Sequence, residues 1–500
     1  PGVIVESGDL DPEIRALTAD SREVENGSIF AALAGSLTDG RDYIDQAIAK
    51  GAVAILADPS LQGRDFGRPL ILDPNPRRRL ALMAARFFGR QPENVVAITG
   101  TNGKTSVAGF TRQLWQGLGY PAAALGTLGL DAPGHASKAG LTTPDPVMLH
   151  QLLAELADGG IQHLALEASS HGLDQHRLDG VALKAAAFTN LSRDHFDYHG
   201  SVDAYFKAKA RLFGELLHED GIAVLNADSP EFDRLGTICR DRGIKLLAYG
   251  REAADIKLAA SHPRDDGQNL TLDVQGRRFE VETELMGGFQ AENLMAALGL
   301  VMATSEAPID RQIETLSTLQ GAPGRMQRVD GSPKGVSVFV DYAHTPDALA
   351  HVLGALRPHT KGVLMAVFGC GGDRDPGKRA QMGEIAASMA DKVVVTDDNP
   401  RHEDAESIRR AILDACPGAI EIGDRAQAIH LAVRMLGVGD VLVVAGKGHE
   451  TGQIVGRMVL PFDDVAVTKA AIEAGIKAAL VEANGADPDD RAVLMDGCGR

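Results

Sequence analysis

The sequence predicts an α/β protein in three domains, and three observations carry that expectation. Short apolar runs ending in polar residues recur at 95–99, 164–167, 185–189 and 221–225, and again at 336–341, 363–368, 392–396 and 440–445. Helical patterns separate them, for instance at 147–158 and 205–217. Buried strands alternating with helices mean a mostly parallel sheet covered on both faces. The third observation is a glycine-bearing turn, Gly100-Thr101-Asn102-Gly103-Lys104-Thr105-Ser106, directly behind the run 95–99.

Residues 1–90 form the first expected domain. A turn at 20–24 feeds a short strand at 27–33, followed by a helix at 43–50 and a strand at 53–56. Pro74-Asn75-Pro76 opens a basic helix that continues to Phe88, and Gly89-Arg90-Gln91-Pro92 marks the boundary. The second domain, 91–323, carries the strand–turn–helix at 95–106 and is of the P-loop type. Ligands in such sheets sit at the carboxyl ends of strands, where Thr99, Glu167 and Asn190 fall. The break at 320–325, rich in Gly and Pro, reads as a hinge. The third domain, 324–500, repeats the strand–helix alternation as a Rossmann-like unit with a second Gly-rich loop at 369–374. Residues after about 483 read as a mobile tail.

Composition narrows the function. With 500 residues, about 150 per domain gives three domains. The formal charge of −18 disfavours nucleic acid and anionic membranes as partners. Cys239, Cys370, Cys416 and Cys498 are far apart, which fits a reducing cytosol rather than a disulfide framework or a zinc site. No basic-then-apolar leader and no apolar run near the roughly 18–20 residues that span a bilayer is present, so a soluble cytoplasmic protein is expected.

The turn at 100–106 has what a triphosphate needs. Backbone N–H groups of the turn and the following helix face phosphates, Lys104 supplies a point charge, and the Thr105 hydroxyl can ligate Mg2+. It is shorter than the usual Gly-x-x-x-x-Gly-Lys-[Ser/Thr] loop, because only two residues separate Gly100 from Gly103. Glu167, at a strand end, reads either as a metal ligand or as part of the N-cap of the next helix, where Glu and Ser are favoured. Asp194, His195, Asp197 and His199 cluster after another strand, and His195 is a candidate for metal or proton transfer. Lys207, Lys209 and Arg211 read by spacing as a solvated basic helix face. Thr142-Thr143-Pro144 and Gln175-His176-Arg177 are donor-rich loops that suit an anionic ligand or ordinary turns. Asp398-Asn399-Pro400-Arg401 can hold a zwitterion, acids taking an ammonium and Arg a carboxylate, or can be an Asx-turn with a surface Arg. Gly446-Lys447-Gly448-His449-Glu450 has the same ambiguity.

Together these motifs resemble the Mur ligase family, ATP-dependent amide-bond formers of peptidoglycan precursor assembly, over nearly the whole chain to about residue 480. The resemblance rests on Gly100–Thr105, Glu167-x-Ser169-Ser170-His171, Asn190 with Asp194-His195, Asn293, Gly324-Arg325 and Asp341-Tyr342-Ala343-His344. Asp20-Ser21-Arg22, Thr142–Pro144, Gln175–Arg177 and Asp398–Arg401 resemble the branch that adds the third peptide residue, and Asp398–Arg401 resembles its meso-diaminopimelate-adding type. Lysine-adding relatives lack the Arg.

The resemblance implies that Lys104 and Thr105 hold the ATP phosphates and Mg2+, with Glu167 and His195 as further metal-site residues. Asn293, Arg325, Asp341 and His344 would contact the nucleotide. Ser21 and Arg22 would lie in the uridine-binding domain, and Thr142, Thr143, Ser169, Gln175 and Arg177 would hold the UDP-N-acetylmuramoyl-dipeptide. Arg374, Asp398, Asn399, Arg401, Gly446 and Glu450 would surround diaminopimelate. Lys209 aligns with a lysine that the family carbamylates, which overrules its reading as a surface cation. The implied chemistry is attack of the D-glutamyl γ-carboxylate on the ATP γ-phosphate, then attack of an amine on the acyl phosphate. A monomer is expected. The rival expectations are an L-lysine-adding ligase of the family, a folylpolyglutamate synthetase and a P-loop ATPase of another class.

Overall fold

The computed structural model describes residues 4–6, 11–35, 38–136, 140–192, 194, 196–253, 255–264 and 266–485. The chain forms two compact units, Pro1–Ile256 with Met295–Gln312, and Lys257–Leu294 with Ile313–Arg500.

In the first unit, five strands run in the order Ile4–Glu6, Leu70–Leu72, Ala52–Ala57, Ser28–Ala31, Ala16–Thr18, all parallel except the first pair. Successive strand residues point to opposite faces. Phe30 and Ile55 join one core, while Ile29 and Leu56 join another with Leu80 and Ala84 of the helix Pro76–Phe88. That helix starts where the sequence directs: the Asn75 side chain accepts from Arg78 N–H, proline follows, and Gly89 ends it at φ 69°.

The larger sheet of this unit runs Lys245–Gly250, Ile222–Asn226, Leu183–Phe188, Asn94–Thr99, His163–Glu167, Ala122–Gly126. These six strands are parallel. Val95, Val96, Ala97 and Ile98 are fully buried, because both faces of the central strand are covered. The sheet is not parallel throughout. Gly129–Ala132 and His135–Ala136 extend it antiparallel.

The second unit holds an antiparallel meander that the sequence reading left unassigned: Ile256–Arg264, Gly267–Val274 and Arg277–Thr283. Its last turn, Gln275-Gly276, has φ 48° and 78°, as a two-residue hairpin requires. A six-stranded sheet has the order Gln327–Arg328, Ser337–Asp341, Val441–Ala445, Leu364–Phe368, Lys392–Val395, Ile420–Glu421, parallel after its first pair. Phe339 faces one core of this unit and Val338 and Val340 the other. The helix Asp464–Gly485 runs slightly past the point where a tail is expected, and residues 486–500 lie outside the described residues.

Candidate active site

The phosphate turn is shaped by its glycines. Gly100 has φ 148°, and a Cβ there would lie 1.9 Å from the Thr189 hydroxyl. Gly103, at φ 87°, precedes the helix Lys104–Gly117. Both positions demand glycine. The end of the neighbouring strand clamps the turn. Thr101 N–H donates to the Asn190 carbonyl (2.8 Å) and Asn102 N–H to Asn190 Oδ1 (3.0 Å). The Thr189 hydroxyl donates to the Asn102 carbonyl at 2.6 Å, and Ser192 N–H to Thr101 Oγ1 at 2.9 Å. The first N–H groups of the helix have no acceptor within it, which makes its start an anion site. Thr105 and Ser106 are buried at that start. Lys104 Nζ donates to the carbonyls of Gly100 (2.9 Å) and Thr101 (2.8 Å), holding its ammonium over the turn.

Lys209 reaches the same place from the helix Val202–Arg211, which Ser201 caps through Ala204 N–H. Spacing alone reads this helix as a solvated basic face, and for Lys209 that is wrong. Lys207 is exposed beside Asp203, but Lys209 is 1% exposed and donates to the Gly100 carbonyl at 2.7 Å. Its Nζ lies 4.4 Å from the Tyr205 ring centroid. Burial pushes its pKa well below the ordinary lysine value, and the Lys104 charge adds to this. The Tyr205 hydroxyl lies 3.3 Å from Thr101 Oγ1. Burial pushes that phenol up to about 12.

Glu167 stands opposite Ile98 in the pairing of His163–Glu167 with Asn94–Thr99, beside the start of the phosphate turn. It is 2% exposed and receives Thr127 N–H on Oε1 (2.9 Å) and the Thr127 hydroxyl on Oε2 (3.1 Å). Ser169, not Glu167, caps the next helix, accepting from Gly172 N–H. Thr127 Oγ1 lies 3.1 Å from Thr142 Oγ1. Thr143 Oγ1 donates to the Glu167 carbonyl (2.8 Å) and lies 3.0 Å from Ser169 Oγ. Arg177 donates to the Thr143 carbonyl and to Gln175 Oε1, both at 2.7 Å. Thus Thr142, Thr143, Ser169, Gln175, Arg177 and Glu167 form one connected network. Thr127 is a member that sequence reasoning missed. His195 lies outside the described residues. Among the described residues no three His, Cys, Asp or Glu side chains gather as a metal cluster. The donors that converge are hard oxygens, the Glu167 carboxylate above all. Two hydrogen bonds leave it acceptor capacity, and this chemistry fits Mg2+.

Ser21 and Arg22 sit on a surface turn of the five-stranded part of this unit. Arg22 pairs with Asp20 (2.6 Å), and Lys50 Nζ donates to the carbonyls of Ser21 and Arg22, both at 3.0 Å.

In the second unit, Asp341 ends the strand Ser337–Asp341 and accepts from Met326 N–H (2.6 Å) and Ala343 N–H (2.8 Å). Burial lifts this carboxyl above its usual range, against the pull of Arg325 and these N–H groups. The Arg325 guanidinium lies 4.5 Å from the Tyr342 ring centroid, and His344 Nδ1 is 2.8 Å from the Tyr342 carbonyl. Asn293 is buried on the helix Gly288–Thr304, donating to Gln290 Oε1.

Behind the strand Lys392–Val395, Asp398 and Asn399 are buried, and Arg401 takes φ 52°. The Gly-rich loop packs on this turn: a Cβ on Gly372 would lie 2.0 Å from the Pro400 carbonyl, and Arg401 donates to the Gly372 carbonyl (2.8 Å). Gly446, at φ 117°, lets its loop approach Asp398, where a Cβ would lie 2.6 Å from Oδ2. Asn399 donates to Glu450 Oε2 at 2.9 Å. So Asp398, Asn399, Arg401, Gly446 and Glu450 do come together, whereas Arg374 is exposed on the neighbouring loop. A fully buried ion pair, Arg425 with Asp464 at 2.7 Å, backs the site, and Arg425 also donates to the Ala445 carbonyl. No local signal in the sequence marks that pair.

Three family models match the chain: "Mur ligase family, catalytic domain" over 13–88, "Mur ligase middle domain" over 98–301 and "Mur ligase, glutamate ligase domain" over 324–448. The UDP-N-acetylmuramoyl-L-alanyl-D-glutamate--2,6-diaminopimelate ligase of Caulobacter vibrioides is 53% identical over 93% of this chain and 96% of its own length. That of Mesorhizobium japonicum is 50% identical over 92% and 95%. A solved structure of a ligase of that name superposes with a TM-score of 0.70 at 36% identity, covering 92% of this chain and 95% of its own. MurF ligase from Thermotoga maritima, in complex with ADP, shares the fold with a TM-score of 0.62 at 21% identity, covering 94% and 99%.

Proposed function

The chain belongs to the Mur ligase family, and from that premise we propose that it joins 2,6-diaminopimelate to UDP-N-acetylmuramoyl-L-alanyl-D-glutamate at the expense of ATP, in peptidoglycan precursor synthesis. We place the reaction in the cytoplasm. The observation that carries the reading is the hydrogen-bond network of the first unit. Thr143 bonds at once to Glu167 and Ser169, and Arg177 to Thr143, beside the turn that holds Lys104 and Lys209.

In this reading the turn at 100–106 and the start of the helix Lys104–Gly117 cradle the ATP phosphates. Lys104 already sits over the turn and offsets charge gathering on the transferred phosphoryl group. Thr142, Thr143, Ser169, Gln175 and Arg177 orient the peptide so that the D-glutamyl γ-carboxylate meets the γ-phosphate in line. Mg2+ bound by Thr105, Glu167 and His195 would screen the phosphate charges. Lys209, buried and shifted toward its neutral amine, is suited to carbamylation, which would add an anionic oxygen donor to that set. Attack of the γ-carboxylate on the γ-phosphorus breaks its bond to ADP and leaves an acyl phosphate; the diaminopimelate amine then adds to the acyl carbonyl, loses a proton and expels inorganic phosphate as the amide forms. Asn293, Arg325, Asp341 and His344 serve the nucleotide, and Ser21 and Arg22 the uridine end.

Asp398, Asn399, Gly446 and Glu450 take the ammonium end of the amino acid, and Arg401 and Arg374 its distal carboxylate. L-Lysine lacks that carboxylate and would leave Arg401 without its partner, which argues against the lysine-adding alternative.

The test is phosphate release with UDP-N-acetylmuramoyl-L-alanyl-D-glutamate, ATP and Mg2+, adding meso-diaminopimelate or L-lysine in parallel. Turnover with diaminopimelate alone is expected. Turnover with lysine alone would keep the ligase and overturn the specificity. Release indifferent to both would point to an ATPase of another class.

A further inference from the structure

The loop after the strand Val441–Ala445 carries a fully buried lysine to which no role has been assigned. Lys447 is 0% exposed. Its Nζ donates to Asn399 Oδ1 at 2.9 Å and lies 3.1 Å from Glu450 Oε2. Asn399 Nδ2 donates to the same Glu450 oxygen at 2.9 Å. The three side chains thus close a hydrogen-bonded triangle. From this geometry we propose that Lys447 is a positioning residue of the amino-acid site, fixing the Glu450 carboxylate and the Asn399 amide for the ammonium end of the incoming amino acid. The proposal rests on the reading of these loops as the diaminopimelate site.

Burying an ammonium is strongly unfavourable unless it is paired, and a Met or Leu would fill the same space without that cost. The pairing here is specific. Asn399 Oδ1 receives Lys447 Nζ and also Ile454 N–H (2.9 Å), so the amide has one possible orientation. Turned over, its NH2 would face two donors. Its remaining amide hydrogen is outside the triangle. The same is true of Glu450 Oε1, since Oε2 carries both bonds. The Glu450 side chain is 34% exposed while its Oε2 is pinned by Lys447 and Asn399. Lys447 therefore offsets the Glu450 charge without covering it.

The triangle is also tied to Arg401. Ile454, whose N–H serves Asn399, accepts from Arg401 N–H at 3.0 Å, and Gly456 N–H donates to the Arg401 carbonyl at 2.7 Å. Gln453 Nε2 donates to the Asp398 carbonyl at 2.7 Å. The hairpin of Gly452–Val455 and Met458–Pro461 thereby sets the spacing between the group proposed for an ammonium and the guanidinium proposed for a carboxylate. A site with that fixed spacing selects a ligand by length as well as by charge.

The experiment measures kcat and KM for all three substrates with the full-length protein carrying K447M, E450Q, the K447M/E450Q pair, or R401A. K447M is expected to raise the diaminopimelate KM by roughly 10- to 100-fold, with the ATP and UDP-substrate KM values within about twofold of the parent. Because Lys447 acts through Glu450, the double variant is expected to be no worse than about threefold below E450Q alone. If K447M does not fold, K447Q, which removes the charge beside Glu450 but can keep a donor toward Asn399, is expected to raise the diaminopimelate KM by a smaller factor of about 3- to 10-fold, again with the other two KM values within about twofold of the parent. An unchanged diaminopimelate KM, or all three KM values rising in step, would overturn the role of Lys447. R401A separates the two levels. If R401A weakens diaminopimelate and the Lys447 variants do not, only this inference falls. If R401A leaves diaminopimelate untouched, the assignment of the site falls with it.

Discussion

Lys104 and Lys209 donate to one carbonyl oxygen, that of Gly100, at 2.9 and 2.7 Å. One arrives from the start of its own helix and the other from a helix that begins about a hundred residues later. Two ammonium groups on one acceptor repel, and the buried one, Lys209, is driven toward its neutral form by burial first and by Lys104 second. A fold would not keep this arrangement for stability alone.

The first prediction follows from that conflict. Lys209→Met removes a buried ammonium and leaves an apolar chain against Tyr205, so the melting temperature is expected to hold or rise. Turnover is expected to fall by about 100-fold or more, because the donor set at the phosphates is broken. Thermal melts and steady-state rates on the same preparation check it. A destabilised protein with normal turnover would make Lys209 a structural residue.

Gly126→Ala tests Glu167 without touching it. A Cβ at Gly126 would lie 2.1 Å from Glu167 Oε1 and 2.4 Å from Cδ, so the carboxylate must swing away from Thr127. The backbone there is not in the left-handed region, so the strand tolerates alanine. We expect kcat to drop roughly tenfold or more, and the Mg2+ concentration giving half-maximal rate to rise. A rate curve against Mg2+ that superposes on the parent's would separate Glu167 from the metal.

Arg401→Ala is expected to raise the diaminopimelate KM by about 100-fold while moving the ATP KM by less than about threefold. Selectivity for diaminopimelate over L-lysine, of order 10⁴–10⁵ when a built polar partner is missing, should shrink in parallel. Equal changes in both KM values would take Arg401 out of the amino-acid site.

What the sequence disclosed follows physical locality. The phosphate turn was legible because its chemistry is contiguous, from Gly100 to Thr105. The parallel strands were legible because a strand covered on both faces, such as Asn94–Thr99, is an unbroken apolar run. The meander of 256–283 was not. Leu270, Leu272 and Val274 are buried in alternation, but Arg277, Arg278, Glu280 and Glu282 on the facing strand hide the pattern. Lys209 was illegible by spacing because Lys207 and Arg211 flank it with the same charge. In the sequence only its alignment with the family's carbamylated lysine marks it; in the structure the long-range approach of the Gly100 carbonyl sets it apart. A long-range approach likewise sets apart Lys447 and the Arg425–Asp464 pair, whose partners are 48 and 39 residues away in the chain.

The last prediction concerns a buried carboxylate that no motif marked. Asp179 receives Arg211 Nη2 on both oxygens at 2.7 Å and Arg78 Nε at 3.1 Å, with His176 Nδ1 at 3.5 Å. Arg78 belongs to the helix Pro76–Phe88, and Arg211 closes the helix that carries Lys209. Burial would raise the Asp179 pKa, but His176 and Arg211 outweigh it and hold it below the usual carboxylate value. A depressed folded pKa gives stability that is present above the unfolded value, about 4, and is lost as pH falls through the folded one. Asp179→Asn should therefore cost about 2 kcal/mol near neutral pH, because Arg211 loses its buried partner and keeps only the exposed Glu215 at 2.8 Å, and the melting temperature of the variant should fall less steeply than the parent's below pH 4. Since Arg211 also donates to the Leu173 carbonyl, beside the Ser169–Arg177 segment, turnover should drop with stability. Parallel melting curves through the acid range would show that Asp179 is not the group that anchors the Lys209 helix.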